Sequence, residues 1–373
     1  MKPLPITSLG MICCVGHNVA GACAAQRAGI VRRTPLNDYW TYDASELEIR
    51  VTGAPVKGLT DGFVQTGTWV RLALSCLEDL VRYGQLPPAD DAAFWRDTGL
   101  LWVLPELSFE RFGWPEEEIP KLLKQFCGQL LENLSRLPFQ QPPSCYFPAG
   151  NVGGALAAEQ ARQLLESGSL RRVIILAADS WLDRLSMNVL VGERRLKTGE
   201  RAAGLCPGEA AACVLVESPT PAQARHAMAQ SVLLGAAARP APARLAPEDT
   251  TASRVQLAPA AATQLANAVA QVLDSAGLSQ PFRGDILLDL NGENWKALVW
   301  GHAQTLLSNH VDLSRSKKIF PAISFGDIGA ASGVAAVCVA TRAFVRRYAS
   351  TDHTLICSIA DDCGTSAMLV GCP

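Results

Sequence analysis

The sequence predicts an α/β protein built from two related halves. Stretches typical of strands alternate with helical patterns along the 373 residues. Several strands are apolar on both faces, as expected for a sheet covered on both sides, and the alternation is typical of layered α/β folds. The predicted strands are Ile6–Cys13, Leu100–Leu104, Val173–Ala178, Ala211–Glu217, Asp285–Leu290, Ile319–Ser324, Thr354–Ile359 and Ala367–Gly371. The predicted helices are Val19–Ala28, Trp69–Tyr83, Glu116–Leu137, Ala155–Glu166, Ala260–Ser275, Trp295–Leu307 and Ala335–Arg347.

A short motif recurs after about half the length of the chain. Gly150–Ala155 has the sequence GNVGGA, and Gly326–Ala331 has the sequence GDIGAA, at an offset of 176 residues (326 − 150). Each copy opens a helix of small residues, and each helix leads to an apolar strand ending in LAADS or SIADD and then to a second strand. This shared succession indicates a duplicated half-domain. Gly and Ala at the helix starts would let the two related helices pack closely at the centre.

We expect the two halves to be residues 1–225 and 226–373. An insertion around residues 85–145 is expected to cap the N-terminal half. A stretch rich in Pro and Ala, Ala238–Ser253, predicts a surface connection and not a packed element. The pairs Arg171–Arg172 and Arg194–Arg195 are short and are expected to be solvated.

Composition argues against several classes of protein. Apolar residues make up 49% of the chain and the net charge is −2, so neither nucleic acid nor an anionic membrane is an expected partner. The apolar N-terminal stretch is short and contains Pro and Gly, which predicts a strand and not a signal peptide or a membrane span. The twelve cysteines include no C-x-x-C pair, which predicts buried, reduced thiols in a cytoplasmic protein. No metal and no cofactor are expected.

Several segments, in their order along the chain, resemble the β-ketoacyl synthases of the thiolase superfamily. The matching segments are Ile6–Met11, Gly16–Val19, Ala28–Ile30, Gly204–Glu217 and Cys363–Ser366. The resemblance covers essentially the whole chain. It implies a duplicated, five-layered αβαβα thiolase-like fold.

The same resemblance places three residues at the family's catalytic positions. The nucleophilic Cys at the start of the first central helix falls on Asn151, and the two His fall on Asn291 and Asp327. The five His of this chain, at positions 17, 226, 302, 310 and 353, match neither. An amide is a poor nucleophile, and an ionised Asp would bring negative charge to a site where negative charge develops. No catalytic residue of the family's condensation reaction is therefore expected.

Three interpretations of Asn151, Asn291 and Asp327 stay open at this point. A former active site can have been refilled by residues that cap helices, because Asn and Asp are good N-caps. The three residues can instead act together on another ligand. An alignment error at one of the positions is the third interpretation.

By resemblance, the first functional hypothesis is a catalytically inactive protein-binding scaffold. It would act as an adaptor or chaperone accessory to bacterial effector secretion, or as the inactive partner of a ketosynthase heterodimer, as chain-length factors do. The alternative is an acyl-thioester transferase or hydrolase with an altered triad of Asn151, Asn291 and Asp327. A homodimer, or a heterodimer with a ketosynthase-like subunit, is expected, because the strand Val173–Ala178 resembles the one that the family uses for dimerisation.

Overall fold

The computed structural model of the protein describes residues 2–42, 47–121, 123–124, 128, 132, 139–140, 142, 145–242 and 250–373. The strands are β1 (Leu4–Cys13), β2 (Thr34–Tyr42), β3 (Glu48–Gly53), β4 (Thr98–Leu104), β5 (Tyr146–Pro148), β6 (Arg172–Ser180), β7 (Glu209–Glu217), β8 (Ser231–Arg239), β9 (Asp285–Leu288), β10 (Lys318–Ile319), β11 (His353–Ile359) and β12 (Thr365–Gly371). The helices are α1 (Val19–Arg27), α2 (Thr66–Tyr83), α3 (Ala92–Arg96), α4 (Phe109–Phe112), α5 (Gly153–Glu166), α6 (Arg184–Gly192), α7 (Pro219–Ala224), α8 (Thr250–Ala276), α9 (Asn294–Leu306), α10 (Ala322–Phe325) and α11 (Ser332–Val345).

The main sheet repeats one strand order twice. Within the described residues it has ten strands in the order β10-β9-β11-β12-β8-β1-β7-β6-β4-β5, while β2 and β3 form a separate hairpin. The set β5-β4-β6-β7-β1 matches the set β10-β9-β11-β12-β8, with the same sequence of parallel and antiparallel pairs. The two sets join where β1 pairs antiparallel with β8. This order supports the predicted duplication, while the boundary near residue 225 stays a prediction.

The layers follow from which helices contact which strands. Helix α2 covers β1, β6 and β7 on one outer side, and α8 covers β8 and β12 on the other, with α9 packed against α8. Helices α5 and α11 lie between the two half-sheets, because each contacts strands of both sets. Nearly the whole of α11 is buried, as expected for a helix with protein on all sides. The predicted five-layered α/β architecture is confirmed.

The two central helices approach closely at Gly154 and Gly333, as their small residues predict. A β-carbon added at Gly154 would lie 3.4 Å from Cγ2 of Val334, and one added at Gly333 would lie 3.8 Å from the Cα of Gly154. Each helix is preceded by a 3-10 turn that begins at a Gly with positive φ, 52° at Gly150 and 49° at Gly329. The structural repeat therefore pairs Gly150 with Gly329 and not with Gly326. The sequence match was displaced by three residues because both segments are rich in Gly and Ala.

The structure departs from the predicted strands in two places. Of the expected strand Ile319–Ser324 only Ile319 lies in the sheet, because the chain turns into α10 at Pro321, whose φ of −59° suits a helix start and which has no N–H for a strand ladder. Strand β8 was not predicted beforehand, because its sequence SVLLGAAAR is poor in β-branched and aromatic residues. Pairing with β1 and β12 on its two sides overrides that low propensity. Its last two residues, Ala238 and Arg239, belong to the sheet and not to a surface connection.

The strand assigned to the dimer contact lies inside the sheet. Val173–Ala178 belongs to β6, which pairs with β4 on one side and with β7 on the other. It has no free backbone edge for a partner, so this part of the prediction is wrong. The expected connection is also wrong at its other end, because helix α8 already begins at Thr250. Residues 243–249 of the connection lie outside the described residues, as does most of the expected helix Glu116–Leu137. No helix in the described ranges is long and apolar enough to span a bilayer.

Candidate functional site

The three residues singled out by the sequence do not form one hydrogen-bonded triad. Asn291 follows β9, and its Nδ2 donates a hydrogen bond of 2.6 Å to Oδ2 of Asp327, just before the turn that opens α11. Asn151 lies in the turn that opens α5, and its Nδ2 donates instead to Oδ2 of Asp289 at 2.8 Å. The structure thus arranges two separate amide–carboxylate pairs, and Asp289 is a member that the sequence interpretation missed.

The capping interpretation fits Asp327 but not Asn151. Oδ1 of Asp327 accepts a hydrogen bond of 2.9 Å from the backbone N–H of Gly329, the first residue of the turn before α11. Asp327 therefore stabilises the start of that turn. Asn151 is inside its own turn, whose N-cap is Ala149 without a side-chain cap. The amide of Asn151 is used to bind Asp289 and not to cap the helix.

Asp289 and Lys296 form a buried ion pair beneath Asn151. The Asp289 carboxylate also accepts 3.1 Å hydrogen bonds from the N–H of Ile359, and Nζ of Lys296 lies 3.9 Å from its Oδ2. Lys296 is fully buried. Burial raises the pKa of Asp289, and Lys296 opposes that shift only in part. Burial would lower the pKa of Lys296, but the surrounding carboxylates, Asp289 first, outweigh it and raise that pKa.

Arg195 binds two carboxylates of the C-terminal half at once. Its guanidinium donates to both oxygens of Glu293 at 2.7 and 2.9 Å, and to both oxygens of Asp361 at 2.7 and 3.0 Å. Glu293 also accepts a 2.8 Å hydrogen bond from the amide of Asn291, which links this cluster to Asp327. Burial would raise the pKa values of Glu293 and Asp361, but both are lowered, because Arg195 acts on each of them together with Asn291 at Glu293 and with Arg254 and Lys296 at Asp361.

A second Arg–Asp pair occupies the equivalent place in the N-terminal half. Arg111 donates to the two oxygens of Asp179 at 2.7 and 3.2 Å, and Asp179 also accepts from the N–H of Ala330 at 2.8 Å. Asp179 and Asp361 are the Asp residues of the related strand ends LAADS and SIADD. The indole of Trp181 lies under both guanidinium groups, 3.7 Å from that of Arg111 and 5.6 Å from that of Arg195.

These arginines show where the sequence interpretation was wrong. Arg195 was expected to be solvated, but its side chain is only 2% exposed. Arg172 was expected to be solvated too, but it is buried and lies 3.4 Å from Glu217. In each Arg-Arg pair the first residue is exposed and the second is buried. The repeated Asp at the two strand ends was the available signal for the Arg–Asp pairs.

Two cavities border this network. One has a volume of about 610 Å³ and is lined by Asn151, Trp181 and the charged pairs around Arg111 and Arg195. The other has a volume of about 360 Å³ and is lined by Asp289, Asp327 and apolar side chains. The five His all lie in described ranges, and none of them lines either cavity. Within those ranges, no group of three or more His, Cys, Asp or Glu side chains is arranged to hold a metal ion.

Burial raises the pKa of two cysteines close to this network. Cys357 lines the smaller cavity, and burial, reinforced by the charge of Asp289, raises its pKa. Burial also raises the pKa of Cys206, whose carbonyl accepts the N–H of Asp327. The charges of Arg33 and Lys197 act to lower the pKa of Cys206, but burial outweighs them.

Several solved structures of ketosynthases match the whole of this chain. The chain matches a type II polyketide ketosynthase solved with its acyl-carrier protein (AntDE:AntF), with a TM-score of 0.75, 13% identity and full coverage of both chains. The fold is that of the β-ketoacyl synthases. The ishigamide ketosynthase/chain length factor matches with a TM-score of 0.69 and 17% identity, over all of this chain and 99% of that one. A β-ketoacyl synthase from Burkholderia phymatum matches with a TM-score of 0.70 and 13% identity over both full chains.

The predicted resemblance is therefore confirmed at the level of the ketosynthase fold. No protein-family model matches the chain, and no curated protein matches it either. Identities of 13–17% establish the common fold and carry no activity with them.

Proposed function

We propose that this protein is a catalytically inactive member of the ketosynthase-like proteins and acts as a protein-binding scaffold. The observation that carries the proposal is the side chain at the tip of the first central helix. There Asn151 holds an amide that donates to the buried carboxylate of Asp289, and none of the lining residues nearby is a His. An amide with its N–H engaged in this way offers no nucleophile for an acyl group.

The electrostatics of the network point the same way. Decarboxylation and condensation both develop negative charge, which active sites stabilise with hydrogen-bond donors. Here the carboxylates of Asp289 and Asp327 lie next to Asn151 and Asn291. The amide N–H groups of these two Asn residues already donate hydrogen bonds to the carboxylates. Losing one oxyanion donor costs about 3–4 kcal/mol in known enzymes. The negative charges of Asp289 and Asp327 would repel the negative charge of the reaction and add to that loss.

Partner proteins follow from the comparisons as proposals. The AntDE:AntF structure is a complex of a ketosynthase with its acyl-carrier protein, and the ishigamide structure is a ketosynthase/chain length factor. We propose for this chain a homodimer or a pairing with a ketosynthase-like subunit, or an adaptor role in effector secretion. Light scattering of the purified protein tests the dimer. Co-expression with a ketosynthase-like partner tests the pairing, which a stable one-to-one complex would support.

Acylation is the decisive test of inactivity. The full chain is incubated with acetyl-CoA and malonyl-CoA while intact mass and CO2 release are followed. We expect no acyl adduct and no CO2. An adduct or release of CO2 would overturn the scaffold proposal, and thioester hydrolysis without decarboxylation would favour the transferase or hydrolase with an altered triad.

A matched pair of variants tests whether Asp289 suppresses acylation at position 151. Asn151→Cys restores a thiol beside the carboxylate of Asp289, which disfavours the thiolate, so we expect almost no acylation. Asn151→Cys combined with Asp289→Asn removes that charge, and acylation should rise at least about tenfold, which corresponds to one unit of thiol pKa. Equal acylation of the single and the double variant would contradict the role given to Asp289.

A further inference from the structure

A third cavity opens at the other end of the C-terminal half-sheet. It has a volume of about 870 Å³ and lies between the first residues of β9 and β11, the edge strand β10, and helices α1 and α11. Asp285, at the start of β9, lines it, whereas Asp289 follows the end of the same strand. At about 3.3 Å per residue the two carboxylates are about 13 Å apart along the strand. This cavity is therefore separate from the position of Asn151.

The inner wall of the cavity carries two polar atoms without a protein partner. Thr354 pairs with Asp285 across the parallel strands β11 and β9, and both residues line the cavity. They are 1% and 2% exposed. In the described part of the chain, no protein group hydrogen-bonds to Oγ1 of Thr354 or to Oδ1 of Asp285. The other oxygen of Asp285 accepts from the N–H of Ser350 at 3.1 Å.

Leaving such groups unpaired is costly. A buried hydroxyl or carboxylate oxygen without a partner loses its hydration and regains nothing, at about 1–3 kcal/mol for a neutral group. The two residues are side by side in register and both line the cavity, so a small side-chain rotation would bring their buried oxygens to a ligand in it. A single donor-bearing group, such as a hydroxyl, would satisfy both of them.

The other side chains that line the cavity are apolar or cationic. Leu287, Ile319, Phe320, Val339, Ala340 and Ala343 supply apolar surface. Three cationic side chains also line the cavity: Arg27, which stacks 4.0 Å from the centre of the Tyr348 ring, exposed Lys317, and Lys318, which donates to the carbonyl of Leu313. Asp285 is the carboxylate among the lining residues. Apolar walls with a few polar groups are typical of small-molecule sites.

We propose that this cavity binds a small organic anion that carries a hydroxyl group at the end opposite its acidic group. The hydroxyl donates to Asp285 and bonds to Thr354, the apolar body packs between the sheet and α11, and the acidic group pairs with the cations of the rim. The site does not use Asn151, Asn291 or Asp327, so it stands whether or not the scaffold proposal holds.

The probe is 3-(4-hydroxyphenyl)propionate, titrated into the full chain by calorimetry and by ligand-observed NMR. Its two controls are 3-phenylpropionate, which lacks the hydroxyl, and 4-hydroxyphenethylamine, which reverses the charge of the head group. We expect saturable binding of the probe and binding at least about tenfold weaker for each control, as expected for the loss of one charge-assisted hydrogen bond or one ion pair. Equal binding of all three compounds, or binding of none, would overturn the proposal.

Two buried threonines give a matched pair of variants. Thr354→Val removes the hydroxyl at the site, and Thr365→Val removes another buried hydroxyl without a described partner that does not line the cavity. We expect Thr354→Val to weaken probe binding roughly tenfold without lowering the Tm, because that hydroxyl bonds to no protein group in the free protein. Thr365→Val should leave binding unchanged.

The opposite pattern identifies water as the occupant. If Thr354→Val lowers the Tm and leaves probe binding unchanged, the hydroxyl serves a structural water and the ligand proposal fails. At the rim, Lys317→Met should weaken binding, whereas Arg315→Met, at an exposed residue that does not line the cavity, should not. Equal effects of these two variants would also contradict the proposal.

Discussion

Replacing Arg195 by Met removes the central cation of the polar network and leaves its shape largely intact. The Arg195 side chain is 2% exposed and makes four hydrogen bonds to Glu293 and Asp361. Glu293 is 5% and Asp361 is 20% exposed at the side chain. The variant therefore leaves one nearly buried carboxylate and one partly exposed carboxylate without their main counter-ion.

The expected magnitude follows from this exposure. Removing one partner of a buried ion pair costs about 3–5 kcal/mol. We expect the free energy of unfolding at pH 7 to fall by about 3 kcal/mol. This is the lower end of that range, because Asp361 is partly hydrated and Arg254 also lowers the pKa of Asp361. Arg194→Met, one residue earlier and exposed, is the matched control and should change stability by less than about 0.5 kcal/mol.

The pH dependence has a defined sign. Arg195 lowers the pKa values of Glu293 and Asp361 in the folded protein, while the unfolded chain has ordinary values near 4. Their stabilisation is fully present above about pH 5 and is lost as the pH falls through the lowered folded values. In Arg195→Met the two carboxylates can protonate in the folded state. The difference in stability between wild type and variant should therefore shrink from pH 7 towards pH 4.

Urea unfolding followed by tryptophan fluorescence measures both effects across this pH range. A loss from Arg195→Met no larger than that from Arg194→Met would refute the reasoning. So would a difference in stability that stays constant between pH 7 and pH 4.

Two further predictions concern backbone space and thiol accessibility. Gly329→Ala should destabilise the protein by at least about 2 kcal/mol, because the φ of Gly329 is 49° and a β-carbon there would lie 2.0 Å from Oδ2 of Asp179. The control is Gly301→Ala, in an exposed helical position with open space around it, which should be neutral or stabilising by up to about 1 kcal/mol. Thermal unfolding compares the two, and equal effects would contradict the crowding. Of the eleven described cysteines Cys372 is the exposed one, so Cys372→Ser should remove one rapidly labelled thiol in a native-state Ellman assay, whereas Cys357→Ser should remove none. Rapid labelling at Cys357 would contradict its burial.

The layered fold was predictable because its signals are local and repeated. Apolar strands such as Val173–Ala178 and the small-residue helix starts carry their own periodicity, and both elements appear in the structure close to the expected bounds. Strand β8 has no comparable signal, since pairing with β1 and β12 defines it. The repeat itself was found with its register displaced, because the positive φ of Gly150 and Gly329 cannot be recognised among neighbouring Gly and Ala residues.

The site was predictable only where one position could be compared with a motif. Asn291 and Asp327 were expected near each other, and their hydrogen bond agrees with that expectation. Arg195 was missed because its partners lie 98 and 166 residues away, at Glu293 and Asp361. Two adjacent arginines carry no sign of which is buried, since this depends on the direction of each side chain and not on composition.

The meeting of β1 and β8 at the centre of the main sheet affects the order in which the protein can assemble during translation. The five strands of the first set are all available once Glu217 has left the ribosome, so that half can close early. The second set cannot: β8 is joined to β11 only through β12, which ends at Gly371. Until that strand emerges, the edge of β8 that pairs with β12 stays open to other nascent chains, while β1 can already cover the opposite edge of β8.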